Sequence, residues 1–329
     1  MGNPPVVSVL VPVRDEAPYL AEALASLSSQ TLDDFEVLVV DDGSRDGSAE
    51  IAAAHAREDA RFTVLRQPRL GLVRALERAR AEARGRFLAR MDGDDLALPQ
   101  RLKVQVEALE QDDLAACGGG ISYFPEDSVR DGARRYERWI NGLVTEGAAA
   151  RDVFVECPIP HPTLVARREA VDYRPCEWPE DYDLVLRLWA RGQRFRNVDE
   201  VVLRWRDHPG RLSRTEPRYS LAAFIRCKVA HLRATMLRTF EQVVVWGAGP
   251  VGKAFARELG PRVVAFVDVD PRKIGRTIYG APVVAIEDAP RFAVAFAIGA
   301  VAGEEARAEI RATVAAQGRR DGVDFVAVA

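Results

Sequence analysis

The sequence predicts an α/β protein, with a mostly parallel sheet flanked by helices followed by a second, smaller α/β unit. Three observations carry this reading. Apolar strand-like runs alternate with helix-period segments over the first hundred residues, and each run ends in a polar loop. A second alternation begins at Gln242, where a run of valines feeds Gly247-Ala248-Gly249-Pro250-Val251-Gly252. At 329 residues, 48% of them apolar, the chain is long enough for two domains that each bury a core. Domains are expected at 1–216 and 241–329, joined by a helical linker at 217–240.

In chain order the pattern predicts strand Val6–Pro12, helix Ala17–Ser29, strand Phe35–Asp41, helix Ser48–Glu58, strand Phe62–Leu65, helix Leu72–Arg84 and strand Arg86–Met91. This βαβ series implies parallel strands, with ligands gathering at their carboxyl ends. Composition narrows the function. A formal net charge of -3 without a long single-sign block argues against a nucleic-acid partner. The cysteines Cys117, Cys157, Cys176 and Cys227 form no CxxC pair, so neither a zinc site nor a disulfide framework is expected, and a reducing cytoplasm fits. The first apolar run lacks a basic lead-in and is too short to span a bilayer. Gly2 lacks the following Ser/Thr of a myristoylation signal, because position 6 is Val. A cytoplasmic protein is expected, with peripheral contact at the inner membrane face left open.

The chemistry concentrates in Phe87-Leu88-Ala89-Arg90-Met91-Asp92-Gly93-Asp94-Asp95, a strand that stops on three carboxylates. Asp92 and Asp94, two apart, can lean the same way at a strand end while Gly93 allows a tight turn. Mg²⁺ or Mn²⁺ held by one or two carboxylates plus substrate phosphate oxygens is the natural guest. The plainer alternative is an acidic turn in which Asp95 caps the next helix, beginning near Leu98. Strand two likewise runs into Asp41-Asp42-Gly43-Ser44, so two acidic loops emerge at equivalent strand ends.

Ser8-Val9-Leu10-Val11-Pro12, Val39-Val40-Asp41-Asp42-Gly43-Ser44, Gly71…Gly85 and Ala89-Arg90-Met91-Asp92-Gly93-Asp94-Asp95…Pro99…Arg101-Leu102 together resemble the inverting family 2 glycosyltransferases of GT-A fold. The resemblance covers roughly the first two-thirds of the chain. It implies a nucleoside-diphosphate-sugar pocket drawing on Pro12, Val13, Arg14, Glu16, Asp42, Arg74, Asp92, Gly93 and Asp94. In it the Asp42 carboxylate accepts a nucleobase N–H and Asp94 is the principal metal ligand, with Asp92 beside the ribose or metal. Family members often carry Asn and Gly where this chain has Glu77 and Ala79.

Glu180-Asp181, after Trp178-Pro179, resembles the family's acidic pair in which the Asp is the catalytic base. First-turn carboxylates also simply favour a helix N-terminus. Arg204-Trp205-Arg206-Asp207-His208-Pro209-Gly210-Arg211 resembles the segment that closes over the donor diphosphate. By that resemblance His208 completes the metal shell, and Arg206 and Arg211 neutralise the leaving diphosphate. His161, in a proline-rich loop, would edge the acceptor cleft. The small residues Gly118-Gly119-Gly120 read either as a strand beside the sugar or as a bulged structural strand.

Arg218 to Phe240 reads as one amphipathic helix, with Leu221, Phe224, Ile225, Val229 and Leu232 on one face and Arg226, Lys228, Arg233 and Arg238 on the other. Such a helix either packs domains together or lies on an anionic membrane. Beyond it, Gly247, Gly249 and Gly252 stand between strand and helix, with Asp268 21 positions past Gly247, as in dinucleotide-binding folds. This segment resembles small Rossmann-like domains attached to sugar-modifying enzymes, and a nucleotide or NAD(P) is its candidate ligand. The favoured function is metal-dependent sugar transfer from a nucleotide donor to a glycan or glycolipid acceptor. The alternatives are an NAD(P)-dependent sugar oxidoreductase and a non-catalytic nucleotide-sugar-binding scaffold.

Overall fold

The structure, a computed structural model, describes residues 3–329, so Gly2 lies outside the described residues. Its first sheet contains β1 (Val7–Val13), β2 (Phe35–Asp42), β3 (Phe62–Gln67), β4 (Phe87–Arg90), β5 (Leu96–Ala97), β6 (Ala116–Phe124), β7 (Val165–Arg167) and β8 (Phe195–Arg206). The strand order is β3-β2-β1-β4-β7-β6-β8-β5. β3, β2, β1 and β4 are parallel, and β7 runs antiparallel between β4 and β6. Every residue of β1 and β2 is buried, which is why these strands read as continuous apolar runs. Helices α1 (Ala17–Ser28), α2 (Ser48–Glu58), α3 (Leu72–Glu82), α4 (Arg101–Gln111), α5 (Asp131–Asn141), α6 (Glu146–Arg151) and α7 (Glu180–Ala190) follow in chain order.

A buried polar knot fixes the start of the parallel strands. Ser8 Oγ donates to Glu36 Oε1 at 2.7 Å and accepts the N–H groups of Arg84 at 3.1 Å and Gly85 at 2.7 Å. A Cβ on Gly85 would overlap the backbone of Val7 and Ser8. With the amino ends locked in this way, the carboxyl ends of β2, β1 and β4 emerge side by side. In β6 a Cβ on Gly118 would overlap Asn197 and one on Gly119 would overlap Val202, and the pairing with β8 shifts register around Gly120. The bulged structural reading of this strand therefore holds.

The chain forms two compact units. One comprises residues up to Ala150, Pro158–Cys176 and Arg191–Thr215; the other comprises Arg151–Cys157, Glu177–Ala190 and Glu216–Ala329. A single division at residue 216 follows chain order, but side-chain partners group differently. Within the second unit the Tyr182 ring lies 5.7 Å from Phe224, Phe154 lies 5.1 Å from Trp189, and Tyr182 Oη donates to Val153 O at 2.7 Å. Alongside α8 (Leu212–Thr215) in the first unit, the remaining elements are α9 (Leu221–Ala234), α10 (Pro250–Leu259), α11 (Glu304–Ala316), β9 (Val243–Trp246), β10 (Val263–Val267), β11 (Thr277–Ile278), β12 (Ala281–Val284), β13 (Phe296–Gly299) and β14 (Phe325–Ala327). The second sheet has the order β11-β12-β10-β9-β13-β14, parallel except for β11.

The helix expected over 218–240 is shorter. α9 starts at the Ser220 cap, whose side chain accepts Ala223 N–H, and stops at Thr235, with a 3-10 turn at Met236–Arg238. Lys228 is not on a solvated basic face. It is buried, and its Nζ donates to Val155 O at 2.8 Å and Val328 O at 3.0 Å. Two carbonyls that secondary structure leaves unpaired draw the ammonium inward, an arrangement no helical period can report. Ile225, Val229 and Leu232 are buried, so most of this apolar side is covered by protein, whereas Leu221 at its start is 64% exposed. No helix of the described residues is long and apolar enough to cross a membrane.

Candidate active site

The end of β2 supplies Asp42, whose buried carboxylate is held by its own chain. Oδ1 accepts Gln67 Nε2 at 2.8 Å and Leu70 N at 2.7 Å, and Oδ2 accepts Gly71 N at 2.8 Å. Gly71 has φ +91° and Gly43 has φ +73°, conformations that favour glycine, and a Cβ on Gly43 would sit 2.9 Å from Arg69 N. The 67–71 loop is thus clamped onto the end of β2. At the end of β1, Pro12 and Val13 are buried beside Val40 and Asp41. Arg14 pairs with Asp15 at 3.5 Å, while Arg74 is exposed in the first turn of α3. The loops after β1 and β2 are laced together, with Ser44 Oγ accepting Asp15 N, Ser48 Oγ accepting Glu16 N and Asp46 accepting Ala17 N.

At the end of β4 one oxygen of each of Asp92, Asp94 and Asp95 lies within 4.8 Å of the others. Arg90 holds Asp92 with both terminal guanidinium nitrogens, Nη1 being 2.5 Å from Oδ2. Asp94 Oδ2 lies 2.8 Å from His208 Nε2. Asp95 does not cap a helix; α4 is preceded by Gln100, and Asp95 is fully buried with Oδ1 accepting Arg206 N at 2.8 Å. Its Oδ2 and the Glu16 Oε2 are buried without a hydrogen-bond partner among the described residues. Gly93 has no left-handed φ. It is glycine because a Cβ there would overlap Glu16 Oε2.

Electrostatics mark the cluster as short of positive charge. Burial, then the Asp94 and Asp92 charges, push Asp95 and Glu16 well above the usual carboxylate range. Burial also raises Asp92, against the pull of Arg90. Beneath them the fully buried Arg101 donates to Arg90 O at 2.6 Å, and burial with the neighbouring Arg90 charge lowers its pKa to about 9. Crowded carboxylates with orphaned oxygens, next to an imidazole, form a donor set suited to a hard divalent cation.

β8 brings the third part. Arg206 Nε donates to Asp94 O at 2.7 Å and its Nη2 to Glu22 at 2.7 Å, with the guanidinium 4.8 Å from the Tyr19 ring and 4.4 Å from Phe124. Arg206 is therefore engaged in holding the loop. The Arg211 guanidinium stacks 4.4 Å over Trp205, and its charge acts on both Asp92 and Asp95. His208 packs 4.9 Å from Tyr19. His161 is buried with Nε2 2.8 Å from Tyr173 Oη, and burial holds it well below the usual histidine range. Glu77 accepts Tyr173 N at 2.8 Å and so ties down the same segment. Arg90, Asp95 and Arg101, central to the cluster, were absent from the sequence-derived site residues, although all three stand inside the motif that carried the resemblance.

In the second unit Glu180 and Asp181 begin α7. Glu180 is buried and accepts Tyr219 Oη at 2.9 Å on both oxygens. Asp183, one turn on, is gripped by Arg187 at 2.8 Å and His231 at 3.0 Å. In the glycine loop Gly247 has φ +105°, and a Cβ on Gly252 would overlap Gly247 O. The Asp268 carboxylate accepts Ala248 N at 2.8 Å, Asp270 N at 2.8 Å and Lys273 Nζ at 3.0 Å, so it closes the loop on itself.

Comparison with known proteins gives the chain relatives of known family and fold. A family model described as glycosyl transferase family 2 matches residues 8–174, and one described as a CoA binding domain matches residues 240–320. A Bacillus subtilis protein named as the glycosyltransferase EpsE is 31% identical over 231 residues, spanning 67% of this chain and 80% of that one. EpsJ of the same organism is 40% identical over 117 residues, but the match spans only 34% of its length. Among solved structures, Staphylococcus aureus TarS in complex with UDP-GlcNAc superposes with TM-score 0.56 at 17% identity, covering 77% of this chain and 71% of that one. The mannosyltransferase PcManGT of Pyrobaculum calidifontis, in complex with GDP-Man and Mn²⁺, gives 0.51 at 21% identity, covering 78% and 68%. These two likenesses concern the fold.

Proposed function

Because this chain belongs to glycosyl transferase family 2, we propose that it moves a sugar from a nucleoside-diphosphate donor to an acceptor hydroxyl, with inversion and with Mn²⁺ or Mg²⁺. The acceptor class is a growing cell-surface polysaccharide, lipopolysaccharide or glycolipid. One observation carries the reading: three carboxylates within 4.8 Å of one another, with a buried orphan oxygen on Asp95 and His208 on Asp94. Asp94, Asp92 and His208 would hold the cation, which when bound offsets charge developing on the departing diphosphate. Asp42 accepts the base N–H. Arg211 adds positive charge at the acidic cluster, whereas Arg206, committed to Asp94 O and Glu22, positions the loop.

Asp181 takes the acceptor proton as the new C1–O bond forms and the bond from C1 to the diphosphate oxygen breaks, and Glu180 anchors the start of α7. A carboxylate cannot ionise an alcohol beforehand, but it can accept the proton as the donor bond opens. Diphosphate release from a panel of nucleotide sugars, with Mn²⁺ or with chelator, tests the reading. Turnover of one donor that chelator abolishes supports it; no turnover of any would sink it. Retention in the anomeric NMR coupling would refute inversion alone. Asp181→Asn is expected to lower kcat by about 10²–10⁴-fold with donor affinity kept. For the second unit, the match over 240–320 and the glycine loop support a nucleotide-bearing ligand such as CoA or a dinucleotide. Calorimetry with CoA and NAD(H) tests this.

A further inference from the structure

We infer that the donor carries an imide base, uracil or thymine, and that Gln67 enforces this choice by occupying an acceptor position on Asp42. The inference rests on the donor-site reading above and specifies it. An ionised carboxylate offers about four acceptor positions, two on each oxygen. Asp42 Oδ1 already takes Gln67 Nε2 and Leu70 N, and Oδ2 takes Gly71 N. One position remains, on Oδ2.

That count selects among bases. Guanine presents N1–H and N2–H side by side and needs one acceptor on each carboxylate oxygen, yet Oδ1 is filled. Amino bases carry two hydrogens on one nitrogen and leave the second to be satisfied elsewhere. The imide of uracil or thymine presents a single N–H and needs a single acceptor. The frame around Asp42 resists rearrangement, because both backbone donors belong to a loop pinned by Gly43 and Gly71. The same loop holds Leu70, which is 58% exposed while its N–H is fixed to Asp42.

The test is calorimetric binding of UDP, dTDP, GDP and CDP to the full chain with Mn²⁺. UDP and dTDP are expected to bind about tenfold or more tightly than GDP and CDP, the cost of leaving a buried donor unpaired. GDP or CDP binding as tightly as UDP would overturn the base assignment and leave the transferase reading standing. Binding of none of the four would defeat the donor-site reading itself. In Gln67→Leu, checked for folding by circular dichroism, the second acceptor opens and the ratio of UDP to GDP affinity should fall severalfold. An unchanged ratio in a folded variant would overturn the acceptor count. The wild-type comparison decides the base even if that variant does not fold.

Discussion

After β4, Asp95 keeps a buried oxygen without a partner among the described residues and the cluster around it is crowded with like charge; after β10, both oxygens of Asp268 have partners from its own loops. Both loops follow a buried parallel strand, and both carry a motif with a ligand-binding reading. The contrast separates what spacing can say from what satisfaction says. An acidic residue about 20 positions beyond a glycine loop suits a ribose hydroxyl; here both of its oxygens are engaged, by Ala248, Asp270 and Lys273, and one acceptor position is left, on Oδ1. A buried carboxylate oxygen left with no partner, by contrast, asks for something the chain does not supply.

Four experiments would sharpen or break that contrast. Asp94→Ala should lower transfer by about 10²–10³-fold and remove metal-dependent stabilisation by the donor. Its melting temperature without ligand should be unchanged or higher, because one charge leaves the crowd; a large loss of stability would show that the β4 loop is held by its own contacts after all. Asp268→Ala should do the reverse. Stranding the Ala248 and Asp270 donors and the Lys273 ammonium should cost about 1–3 kcal/mol, read as a lower urea midpoint, with transfer per folded molecule intact. Loss of transfer without loss of stability would reverse the assignment. Gly93→Ala tests the close approach beneath the cluster. Its Cβ must displace the Glu16 carboxyl, an overpacking cost of about 1–3 kcal/mol, and Gly93→Ala melting like wild type would disprove the contact.

The smallest effect concerns His161. Burial depresses its folded pKa, so below about 6.5 the unfolded chain binds a proton that the folded chain refuses. Stability should therefore fall as pH drops below that point, and the slope should flatten in His161→Asn. Urea midpoints at two pH values on either side of it provide the measurement. Equal slopes in the two proteins would assign the acid sensitivity to other groups.

Where the acidic residues of the candidate site lie was legible in the sequence. Asp42, Asp92 and Asp94 end apolar strands, and a parallel sheet brings such ends together. Gly93 was legible as necessary, though for a turn rather than for room beside Glu16. Illegible were the cations that go inward. Arg90, Arg101 and Lys228 look like solvated surface in any periodicity, because their burial depends on distant backbone carbonyls and carboxylates that only the folded chain assembles. Equally hidden was the allegiance of α7, since its partners Val153 and Phe224 lie on either side of it in sequence.

That allegiance bears on how the protein is made. On a ribosome, residues 151–157 and α7 emerge well before α9, and the Val328 carbonyl that completes the Lys228 contact is synthesised almost last. The helix bearing Glu180 and Asp181 must wait for later chain, so the C-terminal module is no removable appendage. A stop codon at the apparent domain boundary would release a product whose acidic pair had never been given its scaffold.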